Sequence, residues 1–422
     1  MSLSLTAADR ALLGGAPGDG TAFAMRLVVR AAEATGATEL IDVSGAHVDS
    51  CLYHGEASLD FVDRLVDGGA RVGVPTTLNV GAVDLIHPET YRGDPRTAER
   101  GRLLMDRYRA LGARATFTCA PYQLADSRPS LGEQVAWGES NAIAFCNSVL
   151  GARTNRYGDF LDIAAAITGR VPYAGLHRTD ARRATIVLRL APDVPDALRD
   201  ADVLFPVLGI VLGRRAGSAV AAIDGFPSGQ SEDRLKALGA AAASSGSVAM
   251  FHVVGSTPEA PTLEDALHSD QPDAVEHIGL AELRVARDQL STARGDQLAA
   301  VSLGTPHASA AQLRGYAALI ADRRVHPDVH CLISTGRDVL VSQPQAAGRL
   351  RDAGVELLVD TCSYIAPVLR YTDGAVMTDS AKWAHYAPGN VGVDVAFGSA
   401  RECIDSAVSG RVVRDGSLWG DS

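Results

Sequence analysis

Lysine is the charged residue that this sequence has least of. Of the 39 lysine and arginine side chains, only Lys236 and Lys382 are lysines, so guanidinium groups carry almost all of the positive charge. An arginine stays protonated in proteins, whereas the pKa of a lysine ammonium responds to its surroundings. The two lysines are therefore the basic residues to consider as proton-transfer groups.

Closely spaced cysteine pairs are also missing. The six cysteines are far apart in the sequence and none belongs to a CxxC motif, which argues against a disulfide scaffold. Spacing alone leaves two interpretations open: buried thiols, the usual state of a free cysteine, or metal ligands that folding brings together. The cysteines are Cys51, Cys119, Cys146, Cys331, Cys362 and Cys403.

Three further absences limit the function. The longest apolar runs, such as residues 203–212, contain Pro or Gly and are much shorter than the ~20 residues that span a bilayer. A formal net charge of −11 without a basic stripe argues against a nucleic-acid partner. The first residues do not resemble a secretion leader. We therefore expect a soluble cytoplasmic protein that does not act at a membrane.

Strand-like apolar runs alternate with amphipathic helical runs along the chain. This alternation is typical of βαβ units and predicts an α/β fold with mainly parallel sheets. The predicted helices are residues 21–35, 59–67, 90–112 and 231–245, and the predicted strands are residues 39–43, 71–74, 115–119, 184–190, 247–254, 301–303, 329–334 and 356–360. We expect lobes at about residues 1–182, 183–300 and 301–422.

Two early segments place polar groups directly after predicted strands. Residues 42–56 carry Ser44, His47 and Asp49, and residues 75–85 carry Thr76 and Thr77. Because ligands bind at the carboxyl edge of parallel sheets, these five residues are predicted to bind the substrate. The alternative for the histidine segment is a glycine turn with a hydrogen-bonded core histidine.

Residues 138–159 contain a dense group of amide, hydroxyl and guanidinium donors. An arginine fork recognises carboxylate or phosphate with two parallel hydrogen bonds, so this segment predicts an anionic substrate. The alternative is a set of structural ion pairs. The predicted substrate-binding residues here are Ser140, Asn141, Asn147, Arg153, Asn155 and Arg156.

Cysteines end two of the predicted strands, Cys119 in TCAPYQ and Cys362 in DTCSYIAP. A third strand end, in SLGTPHASAAQL, carries His307, a predicted substrate-binding residue. Residues 377–389 hold Ser380 and Lys382, so one of the two lysines lies among further candidate catalytic groups.

These segments together resemble the aconitase X family of the aconitase superfamily. The resemblance runs in order from about residue 5 to residue 413, and both lysines lie inside matching segments. The matching segments are SGAHVD, LYHG, PTTLNVGAVDL, TCAPY, GESNA, NSVLGARTNRYGDF, LKALGAA, FHVVGSTPEAPTLEDA, LGTPHAS, DTCSYIAP and SAKWAHY.

The resemblance implies an aconitase-like fold of several three-layer α/β/α lobes and a dehydratase activity. Members of the family dehydrate either cis-3-hydroxy-L-proline or mevalonate 5-phosphate. The Arg-rich, acidic composition favours the hydroxyproline-type substrate. The family's small swivelling domain is fused or separate, and this sequence predicts a separate small subunit.

The resemblance also implies an iron-sulfur cluster or a mononuclear iron, with Cys119 and Cys362 as ligands. Many members carry a cysteine where this sequence has Thr305, and a hydroxyl is a poor replacement for a thiolate on a soft iron-sulfur core. Three alternatives remain open: a third ligand from Cys51 or Cys146, a smaller cluster or one iron, or a non-catalytic regulatory paralogue without the cluster.

In the mechanism that we expect, Arg153 and Arg156 hold the substrate carboxylate, and Lys382 or Ser380 transfers protons. The least favoured alternative is a hydrolase that uses Cys51 and His54. Beyond Asp49, neither residue has an identifiable acid partner that would orient it.

Overall fold

The computed structural model describes residues 3–421, which form two compact units. The first unit comprises the chain up to Val83 together with Asp94–Arg183. The second comprises Asp84–Gly93 together with the chain from Ala184 onward. None of the helices within residues 3–421 combines the length and apolarity needed to cross a membrane.

The first unit is built around a small parallel sheet in the order β3-β2-β4. Strands β1 and β5 form a separate antiparallel pair. The strands are β1 Leu40–Asp42, β2 Ala46–Val48, β3 Thr76–Leu78, β4 Ala136–Trp137 and β5 Arg170–Pro172. The helices are α1 Ala7–Leu13, α2 Asp19–Thr35, α3 Glu56–Asp67, α4 Pro95–Ala110, α5 Ser140–Phe145 and α6 Leu161–Thr168, with a π-helical turn at Cys146–Leu150.

Local sequence signals explain the ends of these helices. Thr6 and Asp9 form a capping box at α1, in which each side chain accepts a hydrogen bond from the backbone N–H of the other residue. Asp94 caps α4, and Pro95 follows it in the first turn, where a missing N–H costs nothing. Such caps fix where the chain enters each helix.

The second unit holds two parallel sheets, in the orders β8-β7-β6-β9 and β12-β11-β10-β13-β14. Its strands are β6 Ile186–Leu190, β7 Ala221–Asp224, β8 Phe251–Val253, β9 Ala274–Ile278, β10 Leu298–Ala308, β11 His330–Thr335, β12 Glu356–Leu358, β13 Ala375–Thr378 and β14 Val395–Phe397. Its helices are α7 Asp196–Arg199, α8 Leu204–Ala216, α9 Glu232–Ser245, α10 Leu263–Ala266, α11 Leu280–Gln289, α12 Ala310–Ile320, α13 Arg337–Ser342, α14 Pro344–Asp352, α15 Ala381–Asn390 and α16 Ala400–Ser409.

Strand β10 is the centre of the larger sheet. All of its residues are buried, as expected for a parallel strand covered by helices on both faces. It pairs with β11 on one side and β13 on the other, so the carboxyl ends of all three strands lie at one edge. Thr305 lies near that edge within β10, and the segments after β12 and β13 bring Cys362 and Ser380 to the same edge.

The structure confirms an α/β fold with mainly parallel sheets and corrects two strands. The predicted strand at residues 71–74 is not formed, because pairing with β2 begins after Pro75, at Thr76. The predicted strand at residues 115–119 is interrupted by Phe117, whose φ of 39° is incompatible with an extended strand. Thr118 still donates its backbone N–H to Leu78, 3.1 Å away.

Candidate active site

Polar residues meet at the carboxyl edge of the first unit's sheet. Asp49 follows β2 and Asn79 follows β3, and Asn79 donates its backbone N–H to Val48 at 2.9 Å. Beyond β4, Gly138 allows close approach, since a Cβ there would lie 3.2 Å from the Cβ of Asp49. Three adjacent strands thus bring Asp49, Asn79 and Glu139 to one place.

This edge is strongly acidic. The side-chain amide of Asn79 donates to Oδ1 of Asp49. Burial, together with repulsion from Glu139, Asp159 and Asp162, raises the pKa of Asp49 to about 8. Burial raises the pKa of Asp162 to about 6, although its oxygens accept the backbone N–H groups of Asp49 and Ser50 at 2.6 and 3.1 Å. Asp162 therefore fixes the backbone that carries Asp49.

Cys119 lies beside this acidic edge and is buried. Its carbonyl oxygen accepts a hydrogen bond from the Asn141 side chain at 3.0 Å, and the same amide donates to Glu139. Tyr122 donates its hydroxyl to Oδ1 of Asn141 at 2.8 Å. The Asn141 amide therefore holds the Cys119 backbone, which is a positioning contact rather than a free donor for a substrate.

In the second unit, Thr305 Oγ1 lies 3.6 Å from the sulfur of Cys362. Both residues are buried, and the peptide bond from Thr305 to Pro306 is cis. The fully buried imidazole of His307 contacts the carbonyl oxygen of Thr361 at 3.2 Å through Nε2, and burial lowers the pKa of His307 to about 4. A neutral His307 thus contacts the backbone of Thr361, the residue that precedes Cys362.

An ion pair that the sequence analysis missed fixes the same loop. Asp360, two residues after the end of β12, is fully buried, and its carboxylate accepts two hydrogen bonds from the guanidinium of Arg337. It also accepts the backbone N–H of Leu85 at 3.1 Å, while Asp84 accepts that of Val359. These partners are far apart in sequence, so no local sequence motif predicts that they form hydrogen bonds with one another.

Each of the two candidate iron-binding cysteines follows a strained residue by two positions. Phe117 has a φ of 39° and Asp360 a φ of 62°, both in the left-handed region that non-glycine residues seldom adopt. Such conformations are concentrated at functional sites, because surrounding contacts must hold them. A threonine precedes each cysteine, and this shared Thr-Cys pair is the feature of the sequence that accompanies the common backbone geometry.

Ser380 and Lys382 lie at the start of α15. Ser380 caps the helix by accepting the backbone N–H of Trp383 at 3.1 Å. Lys382 is buried, and its ammonium lies 6.0 Å from the ring centre of Tyr364. Trp383 donates its indole N–H to Ser363 at 3.0 Å, which ties α15 to the residue after Cys362. The structure therefore brings the predicted proton-transfer residues to the Cys362 side of the second unit.

A small polar cavity of about 30 Å³ lies next to Thr305 and Ser380. Lys236, Tyr316 and Asp379 contribute to its lining. Tyr316 donates its hydroxyl to Asp379 at 2.8 Å, and burial raises the pKa of Asp379 to about 6. Lys236 is paired with Asp233 at 3.0 Å and is thus held by ionic contact. Sequence reasoning did not single out Tyr316 or Asp379.

The donor-rich segment around residue 153 is engaged mainly in structural contacts. Asn147 exchanges hydrogen bonds with the backbone of Thr154, and Asn155 bonds the backbone of Ala174 and Leu176. Arg153 donates to the carbonyl of His177 and to Thr179. Arg156 is exposed and makes no hydrogen bond within residues 3–421, which leaves its guanidinium available to a ligand.

The earlier predicted residues lie at another part of the first unit. Ser44, Thr76 and Thr77 line a cleft of about 130 Å³ at the amino ends of β2, β3 and β4. His47 is fully buried in the sheet with Nδ1 2.8 Å from the Thr77 hydroxyl, and burial lowers its pKa to about 3. Ser140 is the first residue of α5 and lies next to Glu139.

The donor set does not fit a cluster held by three thiolates. Cys51 contacts backbone carbonyls, with Asn79 O 3.2 Å from its sulfur, and burial raises its pKa well above the usual range. Cys146 lies in an apolar cluster, and burial raises its pKa too. Within residues 3–421 no three His, Cys, Asp or Glu side chains form a metal-binding group. Beside Cys362 the second unit offers the Thr305 hydroxyl rather than a further thiol, a pair of donors that suits an iron centre with fewer thiolates.

Comparison with known proteins gives the family. Models of the aconitase X first, second and third domains match residues 2–180, 184–288 and 298–409. The chain is 44% identical to a cis-3-hydroxy-L-proline dehydratase of Pseudomonas aeruginosa, over 96% of this chain and 70% of that protein. It is 32% identical to the phosphomevalonate dehydratase large subunit of Methanosarcina mazei, over 96% of this chain and 98% of that one.

A solved structure agrees with these sequence matches. The holo-form of aconitase X from Thermococcus kodakaraensis superimposes with a TM-score of 0.85 and 29% identity, covering 96% of this chain and all of that one. The matched regions span nearly the whole sequence, including the segments that carry Cys119, Cys362 and Ser380. The chain belongs to the aconitase X family.

Proposed function

We propose that this protein is a hydro-lyase that removes water from cis-3-hydroxy-L-proline or a close analogue. The observation that carries the proposal is the difference in similarity between two kinds of dehydratase. Identity is 44% to the hydroxyproline enzyme and 32% to the phosphomevalonate enzyme, each over 96% of this chain. Mevalonate 5-phosphate is the second candidate substrate, favoured by the near-complete coverage of that large subunit.

We further propose that Cys119 and Cys362 bind an iron ion or a small iron-sulfur cluster. The support is the burial of both cysteines, each two residues after a non-glycine residue in the left-handed region. When bound, the iron supplies a Lewis acid for the leaving hydroxyl group. Thr305, 3.6 Å from the Cys362 sulfur, offers a hydroxyl where many family members carry a thiol.

Dehydration also requires that a proton leave carbon and that another reach the departing oxygen. We assign these transfers to Lys382 and Ser380. Ser380 uses its oxygen to accept the Trp383 N–H, so its own hydroxyl proton is free to donate. Lys382 is buried in the first turn of the same helix, where its ammonium is shielded from water.

The substrate carboxylate is assigned to Arg156, whose exposed guanidinium makes no hydrogen bond within the described chain. Arg153, three residues earlier, is held by His177 and Thr179 and contributes positive charge. The other predicted binding residues, such as Thr76 and Thr77, stay proposals for substrate contact.

We also propose a small partner subunit, by analogy with the relative that is named a large subunit, and a location in the cytoplasm.

The test is co-expression with the neighbouring small-subunit gene, anaerobic purification, and measurement of iron, acid-labile sulfide and products by NMR. We expect bound iron and turnover of cis-3-hydroxy-L-proline. Cys362→Ala should lose both metal and turnover, whereas Cys403→Ala, which changes a buried core cysteine, should keep the metal. A fully active, iron-free Cys362→Ala protein would refute the iron mechanism, and an iron-free, inactive wild type would favour a regulatory paralogue.

A further inference from the structure

Four carboxyl groups are concentrated at the edge of the first unit's sheet. They are Asp49, Glu139, Asp159 and Asp162, and burial together with repulsion from the other three carboxyl groups raises the pKa of Asp49. Within residues 3–421, neither Asp49 nor Asp162 forms an ion pair with an arginine or a lysine. Burying negative charge without a partner costs several kcal/mol, and Asp49 avoids that cost by holding a proton, which a cation from outside the chain could replace.

Two of these carboxylates already serve structural roles. Asp162 accepts hydrogen bonds from the backbone of Asp49, Ser50 and Ile163 and from the Ser50 hydroxyl, which uses both of its oxygens. Glu139 caps α5 by accepting the backbone N–H of Ala142 at 2.8 Å. The carboxylate with capacity left for a ligand is that of Asp49, because Asn79 is the one side chain of the described chain that donates to it.

The second observation is independent of the acidic charge. Asn79 is 3% exposed, and its Oδ1 has no hydrogen-bond partner in the described residues. The nitrogen of the same amide group donates to Asp49, so the orphaned oxygen belongs to a side chain that already contacts this carboxylate. A buried acceptor without a donor costs about 1–3 kcal/mol, a cost that a bound donor removes.

We propose that Asp49 and Oδ1 of Asn79 form a subsite for the ammonium group of an amino-acid or imino-acid substrate. This inference rests on the proposed function and specifies its substrate class. A ring ammonium such as that of a hydroxyproline carries two N–H donors, which match the carboxylate of Asp49 and the amide oxygen of Asn79. The remaining carboxylates favour a positive ligand electrostatically and disfavour a phosphate at this position.

A metal ion fits this place less well. Hard cations take six or more oxygen ligands, whereas the Asp162 oxygens are occupied and Glu139 caps a helix. No three acidic, cysteine or histidine side chains within residues 3–421 form a metal-binding group. An ammonium needs only the two acceptors that Asp49 and Asn79 offer.

The test is calorimetric binding of two matched ligands to the iron-loaded complex. L-proline has a ring, a carboxylate and an ammonium, and tetrahydrofuran-2-carboxylate has the first two without the ammonium. We expect the wild type to bind L-proline more tightly. Asp49→Asn should weaken L-proline by about 10- to 100-fold, the loss of a charge-assisted hydrogen bond, and should leave the ether acid unchanged.

Asp159→Asn is the matched control, because it removes the same charge from an exposed neighbour and should change L-proline affinity less than about threefold. Asn79→Ser removes the orphaned oxygen and should reproduce the ligand selectivity of Asp49→Asn, with circular dichroism to verify folding. Equal affinity of the wild type for both acids, no binding of L-proline, or equal weakening of both by Asp49→Asn would overturn the subsite. Turnover is not the readout, so an inactive wild type would contradict the proposed function separately.

Discussion

At the residue scale, Thr305 stands where the resemblance to aconitase X leads us to expect a cysteine. Its hydroxyl oxygen lies 3.6 Å from the Cys362 sulfur, so a thiol at the same position would lie within reach of an iron bound to Cys362. Thiolates bind iron-sulfur cores much more strongly than hydroxyls do. The choice between threonine and cysteine therefore bears directly on the kind of iron centre.

Thr305→Cys should raise the iron and acid-labile sulfide content per chain after anaerobic reconstitution. Thr305→Ser is the matched control, because it keeps the hydroxyl and should keep the wild-type content. Metal analysis and visible absorption measure both variants. Identical spectra and metal contents for Thr305→Cys and the wild type would show that residue 305 does not face the metal.

Lys382 can be tested by a substitution that preserves its charge. Lys382→Arg keeps a cation but replaces a compact ammonium with a planar group that does not release a proton. Because the side chain is buried next to Tyr364, we expect a folded protein with kcat reduced by about 100-fold or more. Circular dichroism and steady-state kinetics check this, and a near-normal kcat would return Lys382 to a structural role.

Asp49 gives a prediction for pH. Its carboxyl has an ordinary pKa of 3.8, which burial and neighbouring carboxylates raise to about 8 in the folded protein. Between these values the folded state holds a proton that the unfolded state has lost, so this group makes stability fall as pH rises. In Asp49→Asn this contribution is gone.

The stability gained by Asp49→Asn over the wild type should therefore grow from pH 4 to about pH 8 and then level off. Urea unfolding at several pH values measures it, with Asp60→Asn as an exposed control. A stability difference that is independent of pH would show that Asp49 titrates normally.

The site could be predicted from sequence only in part. Cys119 and Cys362 were recognisable because each follows an apolar run and precedes a turn. The buried Asp360–Arg337 pair and the Tyr316–Asp379 hydrogen bond were not, because their partners are 23 and 63 residues apart. Asn147 and Asn155 were predicted to bind the substrate, yet their amides satisfy backbone groups that lie in other loops.

At the scale of elements, α8 and α9 pack closely because Gly209 has no side chain. A Cβ at this position would lie 2.4 Å from the carbonyl oxygen of Leu238 and 2.6 Å from the Cβ of Ala241. The nearest atom belongs to the backbone of α9, which cannot move aside as the end of a flexible side chain could. Small residues on both helices therefore set the distance between them.

Gly209→Ala should lower the free energy of unfolding by about 1–3 kcal/mol, the usual cost of overpacking. Gly348→Ala in α14 is the control, because a Cβ there meets nothing within 4 Å and alanine favours the helix by up to about 1 kcal/mol. Chemical denaturation compares the two. A stabilised Gly209→Ala protein would contradict the close packing of α8 on α9.

Helices were easier to predict than strands in the first unit. The helices α2, α3 and α4 have clear apolar faces and glycine or aspartate at their ends, and each lies within a few residues of its prediction. The strands have only two or three residues, too few for a period to show. Where Phe117 turns into the left-handed region, an apolar run gave a false strand.

At the scale of the whole molecule, the sequence segments that indicated aconitase X extend across the chain, as do the three matching domain models. The division into lobes at about residues 182 and 300 stays a prediction, since the structure separates two compact units. The candidate residues are shared between these units: Asp49, Asn79 and Cys119 belong to the first, and Thr305, Cys362 and Lys382 to the second.

The most direct test of the dehydratase assignment is the ratio of kcat/KM for cis-3-hydroxy-L-proline to that for mevalonate 5-phosphate, measured on one anaerobic, iron-quantified preparation of the complex. We expect a ratio well above about 100, because the acidic edge at Asp49 favours an ammonium and repels a phosphate. A ratio below one, or no turnover of either compound by protein with a full complement of iron, would contradict the account.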